Sequence, residues 1–358
     1  MAAHAFSPDY LVPPGVTLRD TLDDQGMSQS DLSTRTGITE KTISQILNGI
    51  APISYETAAK LEMVLGVPSS FWSARESDYR AALLLREERT RLASMVDWLK
   101  LIPYRLLIER GYIDDASDKG ALVHNVLKFF GVSSVDAWNE LWLTPQLQFR
   151  GGKAHDKHPG FVATWVRMGE INAHAVECAT YDPKKFKDAV QEIRGMTILK
   201  ASEWKSKMIE LCASAGVAVV FVREIASAGV SGVTKWLSKD KAVIMLSLMY
   251  KRADQLWFSF FHEACHVLKH SKKTVFYEFG KHSDDPLEIE ANEFARNLLI
   301  SPESAVMLPH LKTRGQITDF AAQIGIHVGI VVGRMHRDKL LDPKHGDDMR
   351  VKLQWGNQ

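Results

Sequence analysis

The stretch FFHEACHVLKH, residues 260–270, decides how this chain is read. It sets His262, Glu263 and His266 in an H-E-x-x-H spacing. On an α-helix, positions four apart lie one above the other, so both imidazoles can reach a single metal ion. Glu263 is offset by one residue and stands beside such an ion, where a general base can take a proton from water. Zinc with three protein ligands keeps a fourth position open for that water. A motif this short also arises by chance, and the plain alternative is an amphipathic helix carrying histidines. Context favours the metal, because β-rich runs precede the motif and an acidic helix follows it.

The third ligand should come from that later helix, LEIEANEFARNLLI (287–300). Glu288 and Glu290 both qualify. Asn292 lies one turn after Glu288 and could hydrogen-bond a ligand imidazole from outside the metal shell, which favours Glu288. Glu290 has Phe294 at the corresponding position, which suits packing. His270 continues the four-residue rhythm but lies about 12 Å along the helix from His262, too far to share the ion. It reads as a surface or helix-end histidine near the negative end of the dipole. Cys265 reads as a small core residue. Tyr277 and His282, in the intervening loop, could donate to a tetrahedral oxyanion, with ordinary loop residues as the plainer reading.

The rest of the chain bounds the setting. Its 358 residues suggest two or three domains. A hydrophobic share of 45%, a charged share of 24% and a net charge of +1 fit a globular protein with no global field toward nucleic acid or membrane. Cys178, Cys212 and Cys265 are scattered and odd in number, so neither a disulfide framework nor a zinc ribbon follows. The opening MAAHAFSPDYLVPPG has no basic or apolar region of a signal peptide. The apolar run VAVVFV (217–222) is far short of the ~20 residues of a membrane span. A cytoplasmic location is expected.

Residues 1–15 read as a tail, 16–75 as a helix-turn-helix domain and 76–205 as a helical connector. Residues 206–310 read as a zincin-type metallopeptidase domain and 311–358 as a C-terminal helical extension. RGGKAHDKHPG (150–160) has the composition of an exposed loop. VAVVFVREI, SGVTKWLS and KAVIMLSLM read as three strands, and Asp254 as the cap of the motif helix. KAVIMLSLM is expected beside the cleft, where an extended peptide could pair with an edge strand. The fold class expected is α+β, mostly helical, with one small sheet.

SGVTKWLSKDKAVIMLS, DQLWFSFFHEACHVLKH and EIEANEFARNLLISP together resemble the ImmA/IrrE family of zinc metallopeptidases. The shared pattern is H-E-x-x-H followed by E-x-x-A-N-x-F-A and a helix ending near proline. Here it runs through Glu288, Ala291, Asn292, Phe294, Ala295 and Pro302, within residues 210–345. The resemblance implies a gluzincin-like fold, one zinc per chain on His262, His266 and Glu288, and Glu263 as base. Relatives cleave repressor or regulator proteins. Ligand type alone leaves manganese and iron open.

Near the N-terminus, SQSDLSTRTGITEKTISQILNG (28–49) has the rhythm of two helices about a turn at Gly37-Ile38. Ser28 and Thr39 can cap them. Leu32, Ile38, Ile43, Ile46 and Leu47 would join the pair, leaving Thr39, Glu40, Lys41, Thr42, Ser44 and Gln45 outward to enter a major groove. With VPPGVTLRDTL and ETAAKLEMVLGVPSSFW, the segment resembles the XRE family and HigA-like antitoxins. That resemblance puts Glu40, Lys41 and Gln45 at base-reading positions and Gln29 and Asn48 at phosphates. Across 16–72, four basic residues face seven acidic ones, so binding to double-stranded DNA should be weak without dimerisation. Arginines 75, 80, 86, 89 and 91 could add charge, although a solvated helix face is the plainer reading.

Together these readings imply a DNA-binding regulatory metalloendopeptidase that cuts a repressor or other regulator. The rival is a HigA-type regulator or antitoxin whose peptidase-like domain senses a ligand or binds a toxin without cutting. A third expectation is self-cleavage at the 150–160 loop.

Overall fold

The computed structural model describes residues 12–143, 158–278 and 285–356. They divide into two compact units. One takes the residues through Val96 together with Ala116–His124, and the other takes Asp97–Asp115 and the chain from Asn125 onward.

The first unit is helical. Its elements are α1 (Pro14–Asp24), α2 (Gln29–Thr36), α3 (Glu40–Leu47), α4 (Tyr55–Leu65) and α5 (Ser69–Ala93). Ser28 caps α2 in a reciprocal box with Asp31, and Thr39 accepts from the backbone N–H of Thr42 to start α3. Gly37 ends α2 at φ 72°, a left-handed conformation that glycine adopts without a Cβ clash. Leu18, Leu32, Ile43, Leu61 and Trp72 form the sealed centre. The boundary expected at 75/76 falls inside α5. There the Glu76 carboxylate accepts from the Ile53 N–H at 3.0 Å, tying α5 to the turn before α4.

The second unit is built on a four-stranded sheet among the described residues: β1 (Val217–Phe221), β2 (Gly232–Ser238), β3 (Lys241–Leu246) and β4 (Phe276–Glu278). Their order is β1-β3-β2-β4, with β1 parallel to β3 and the other pairs antiparallel. β3 is therefore interior and cannot offer an edge. The open edges are β1 and β4, and β4 comes from a segment the sequence reads as loop.

Side chains alternate across a sheet, so one face carries Val217 and Val219 of β1, Ala242, Ile244 and Leu246 of β3, Gly232 and Thr234 of β2, and Phe276 and Glu278 of β4. The β1 and β3 part of this face is core beneath the motif helix, Ala253–Lys269. Its β2 and β4 end is where glycine, threonine and glutamate take over. On the opposite face the helix Pro159–His174 packs so closely that a Cβ on Gly169 would meet the Met245 sulfur at 2.3 Å.

Two of the expected segments thus belong to this unit rather than standing apart. Part of the connector, including the helix Pro159–His174, covers the sheet. In the C-terminal extension, Val331, Val332, Met335 and Leu353 enter the same core as Trp257 and Phe260. Arg350 of that extension pairs with Asp254 at 2.7 Å. This pairing explains why Asp254 does not cap the motif helix. The helix starts at Ala253, and the buried Asp254 carboxylate turns to the arginine. No helix of the described residues is long and apolar enough to cross a membrane.

Candidate metal centre

The motif helix is amphipathic in an inverted sense, since its functional side is also buried. His262, Glu263 and His266 are each at most 1% exposed. The helix Pro286–Leu299 runs alongside and presents Glu288 to both imidazoles. Nε2 of His262 and Nε2 of His266 are 3.1 Å apart. The Glu288 carboxylate lies 3.1 Å from the first and 3.3 Å from the second. Four ligands held tetrahedrally at zinc distances stand about 3.3 Å from one another. The two imidazole nitrogens stand near that spacing, each is met by a different oxygen of Glu288, and the three side chains form a group able to hold a metal ion.

The electrostatics agree with that grouping. Burial pulls the His262 imidazole down, but its hydrogen bond to Glu288 and the charges of Glu278, Glu263 and Glu288 outweigh it and raise its pKa to about 9. Burial pushes Glu288 up, yet the two imidazoles overcome this and hold it at about 2. His266, already beside His262, is held below its usual value, chiefly by burial. The set is thus an anionic carboxylate between two rings, which suits a divalent cation.

Glu263 is on the same helix but faces β2. Both its carboxylate oxygens are buried without a hydrogen-bond partner. Burial pushes its carboxyl well above the ordinary range against the pull of His262. A cation nearby would oppose that shift. Gly232 makes the space, because a Cβ there would come within 2.5 Å of Glu263 Oε1. Thr234, two residues along the same strand face, donates its hydroxyl to the Glu263 backbone carbonyl at 3.0 Å.

Around the ligands the structure differs from expectation. Among the described residues Asn292 makes no hydrogen bond to either imidazole. The outer nitrogen of His266 is met instead by His270, with the two Nδ1 atoms 2.7 Å apart. His270 does end the helix, but its side chain is only 3% exposed, and its other nitrogen lies 3.3 Å from Glu290. Glu290 also pairs with Lys269 at 2.8 Å, so it looks away from the ligand cluster. The sequence reading of His270 as a surface or helix-end residue is right about its place at the helix end and not about its exposure, and its four-residue spacing from His266 is the signal that could have found the contact. Phe276 of β4 stacks on His266 with ring centroids 4.0 Å apart. Tyr277, the neighbour on β4, projects to the opposite sheet face, away from the ring that Phe276 covers. His282 lies outside the described residues. Gly232, Phe276 and Glu278 had no sequence signal, since each matters only through the strand pairing.

In the first unit, Gln29, Thr39, Glu40, Lys41 and Asn48 are exposed, and Thr42 and Gln45 are half-buried. The α3 residues share one accessible side. Three are already engaged: the Thr39 hydroxyl in its cap, the Thr42 hydroxyl 2.9 Å from that of Thr39, and Asn48 Nδ2 with the Ser44 carbonyl at 2.8 Å.

A small helical unit with a capped two-helix turn, and a sheet-and-helix unit with a His-His-Glu cluster, are the arrangement of a helix-turn-helix domain and a peptidase-like domain. Residues 18–72 match the helix-turn-helix family, and residues 212–334 match the IrrE N-terminal-like domain of the M78 peptidases. Among solved structures, an addiction module antidote protein of the HigA family from Coxiella burnetii is similar at 24% identity, covering 23% of this chain and 90% of its own, with a TM-score of 0.22. No curated protein matches the chain.

Proposed function

We propose that this protein is a DNA-binding regulator carrying a zinc endopeptidase site whose substrate is a repressor or another regulatory protein. The two family matches support the regulator part. The observation that carries the peptidase part is the convergence of His262, His266 and Glu288 beside the unpartnered, buried Glu263. A binding module has no chemical need for that buried acid. In this reading Gln29, Thr39, Glu40, Lys41, Thr42, Gln45 and Asn48 form the DNA face, and dimerisation offsets the acidic balance of the unit.

Bound to the three ligands, zinc would supply Lewis-acid polarisation of the scissile carbonyl and a nucleophile at neutral pH. The chain supplies the rest. His270 and Phe276 hold the His266 ring in place. Gly232 and Thr234 fix the position of Glu263. Glu263 takes the proton of the attacking water and returns it to the leaving amine.

The test is Glu263→Gln in the full chain, scored by comparing new protein N-termini in cells that carry wild type or variant. Fragments of a regulator that appear only with wild type, while metal content and DNA binding are equal, support cleavage. Identical fragment patterns with an intact regulatory response support the rival, a HigA-type regulator that senses a ligand or a toxin partner. Self-cleavage, argued from a loop of which only residues 158–160 are described, is read from the same experiment as a shortened band absent in the variant.

A further inference from the structure

A cavity of about 400 Å³ lies beside the metal centre, walled by the motif helix, β4, the helix Pro286–Leu299 and the helix Val328–Arg337. Three of its wall residues lie on elements that carry or flank the centre. Phe258 is one helical turn before His262, with ring centroids 6.4 Å apart. Arg296 is two turns after Glu288 on the same helix face. Glu278 of β4 is paired across the sheet with Gly232, the residue that stands against Glu263.

The wall is unusually rich in arginine: Arg296, Arg334, Arg337 and Arg350. Two of these are matched, Arg350 by Asp254 at 2.7 Å and Arg334 by Asp338 at 2.6 Å. The other two are not. Arg337 lies over the Phe258 ring, 5.0 Å from its centroid, and has no carboxylate partner among the described residues. Arg296 is half-buried and its guanidinium has neither an ion pair nor a hydrogen bond among them. Glu278 is the opposing unmatched charge, with Oε2 buried and unpartnered. Two free guanidiniums against one carboxylate leave the cavity positive. Arg337 is exposed, but a half-buried guanidinium without a partner, as at Arg296, is costly unless a guest supplies the acceptors.

We infer that this cavity is a specificity subsite that receives an aspartate or glutamate side chain of the peptide held at the metal centre. The inference rests on the peptidase reading of that centre and adds the substrate class. Arg296 is the principal ligand of the guest carboxylate, and Arg337, braced on Phe258, the second.

The experiment uses the zinc-loaded full chain as Glu263→Gln, immobilised and exposed to a random hexapeptide pool. We expect Asp and Glu to be enriched at one position at least about fivefold over Asn and Gln, consistent with a charge-assisted bidentate contact. Arg296→Gln with Arg337→Gln should abolish the enrichment, and Arg296→Lys should retain part of it. Equal zinc content and unfolding temperature in all variants show that the fold is intact. No acidic enrichment, no retained peptide, or enrichment that survives the double variant overturns the inference. The two readings fail separately. Wild-type cleavage without acidic preference removes the subsite alone. Acidic enrichment with no cleavage by wild type removes the peptidase reading and leaves a carboxylate-binding cavity.

Discussion

Gly232 and Glu263 occupy one space between β2 and the motif helix: a Cβ on the glycine would stand 2.5 Å from Oε1 of the glutamate. Gly232→Ala must therefore displace the Glu263 side chain or spread helix from strand. We expect metal content to remain and peptide hydrolysis to fall at least about tenfold, within the range ascribed to a positioned general base. Activity within twofold of wild type, measured at equal metal content, would show that Glu263 need not stand where it does.

His270 contacts His266 Nδ1 at 2.7 Å and Glu290 at 3.3 Å. Outer partners of this kind orient a ligand ring and set its tautomer, and their loss typically weakens metal binding about 10–100-fold. His270→Ala should lower zinc affinity by that order, read by chelator competition. Asn292→Ala should change it little, because no hydrogen bond ties Asn292 to a ring. The reverse ranking would restore the role that the sequence suggested for Asn292.

Glu288 and Glu290 are two residues apart and face different groups. Glu288→Ala should abolish stoichiometric metal, whereas Glu290→Ala should leave one ion per chain with an affinity loss no larger than that of His270→Ala. Metal analysis of the two purified variants decides the matter.

The His262–Glu288 contact gives the metal-free protein a defined pH signature. A histidine whose pKa is raised from 6.5 to about 9 stabilises the fold below its unfolded value, and this contribution is lost as pH rises through 9. A carboxyl lowered from 4.5 to about 2 contributes above 4.5 and loses its effect as pH falls through 2. The unfolding-temperature gap between wild type and His262→Gln, followed in chelator, should therefore shrink from pH 6.5 to 9. A metal must displace that proton, so zinc affinity should climb over the same interval. A pH-independent gap and affinity would show that the imidazole and carboxylate are not coupled.

Leu32 is fully buried where α2 meets the rest of the first unit. Leu32→Ala should destabilise that unit by roughly 2–5 kcal/mol and remove DNA binding with it. Gln45→Ala should instead leave its unfolding temperature unchanged and lower affinity for the cognate site alone, by roughly 1–3 kcal/mol. Equal loss on unrelated DNA, measured by anisotropy, would assign Gln45 to backbone contact.

Local chemistry was legible where a residue acts through its own helix or turn. The caps at Ser28 and Thr39, the glycine stop at Gly37 and the contact of His262 with His266 follow from spacings of three or four residues, which backbone geometry turns into contacts whatever surrounds them. β4 was not legible: Phe276–Glu278 is too short to show alternation, and β2 recruits it as a strand. The C-terminal residues read as an appendage because no sequence pattern announces that Val331 and Met335 share a core with Trp257.

By itself the sequence determined which side chains share a helix face, and so placed the imidazoles of His262 and His266 together, with Glu263 offset beside them. Only the tertiary structure decided that Glu288 rather than Glu290 turns toward them, that His270 backs His266, and that glycine stands opposite Glu263. Those facts depend on how two helices and two strands are packed against each other, and contacts between elements far apart in the chain have no fixed spacing to reveal them.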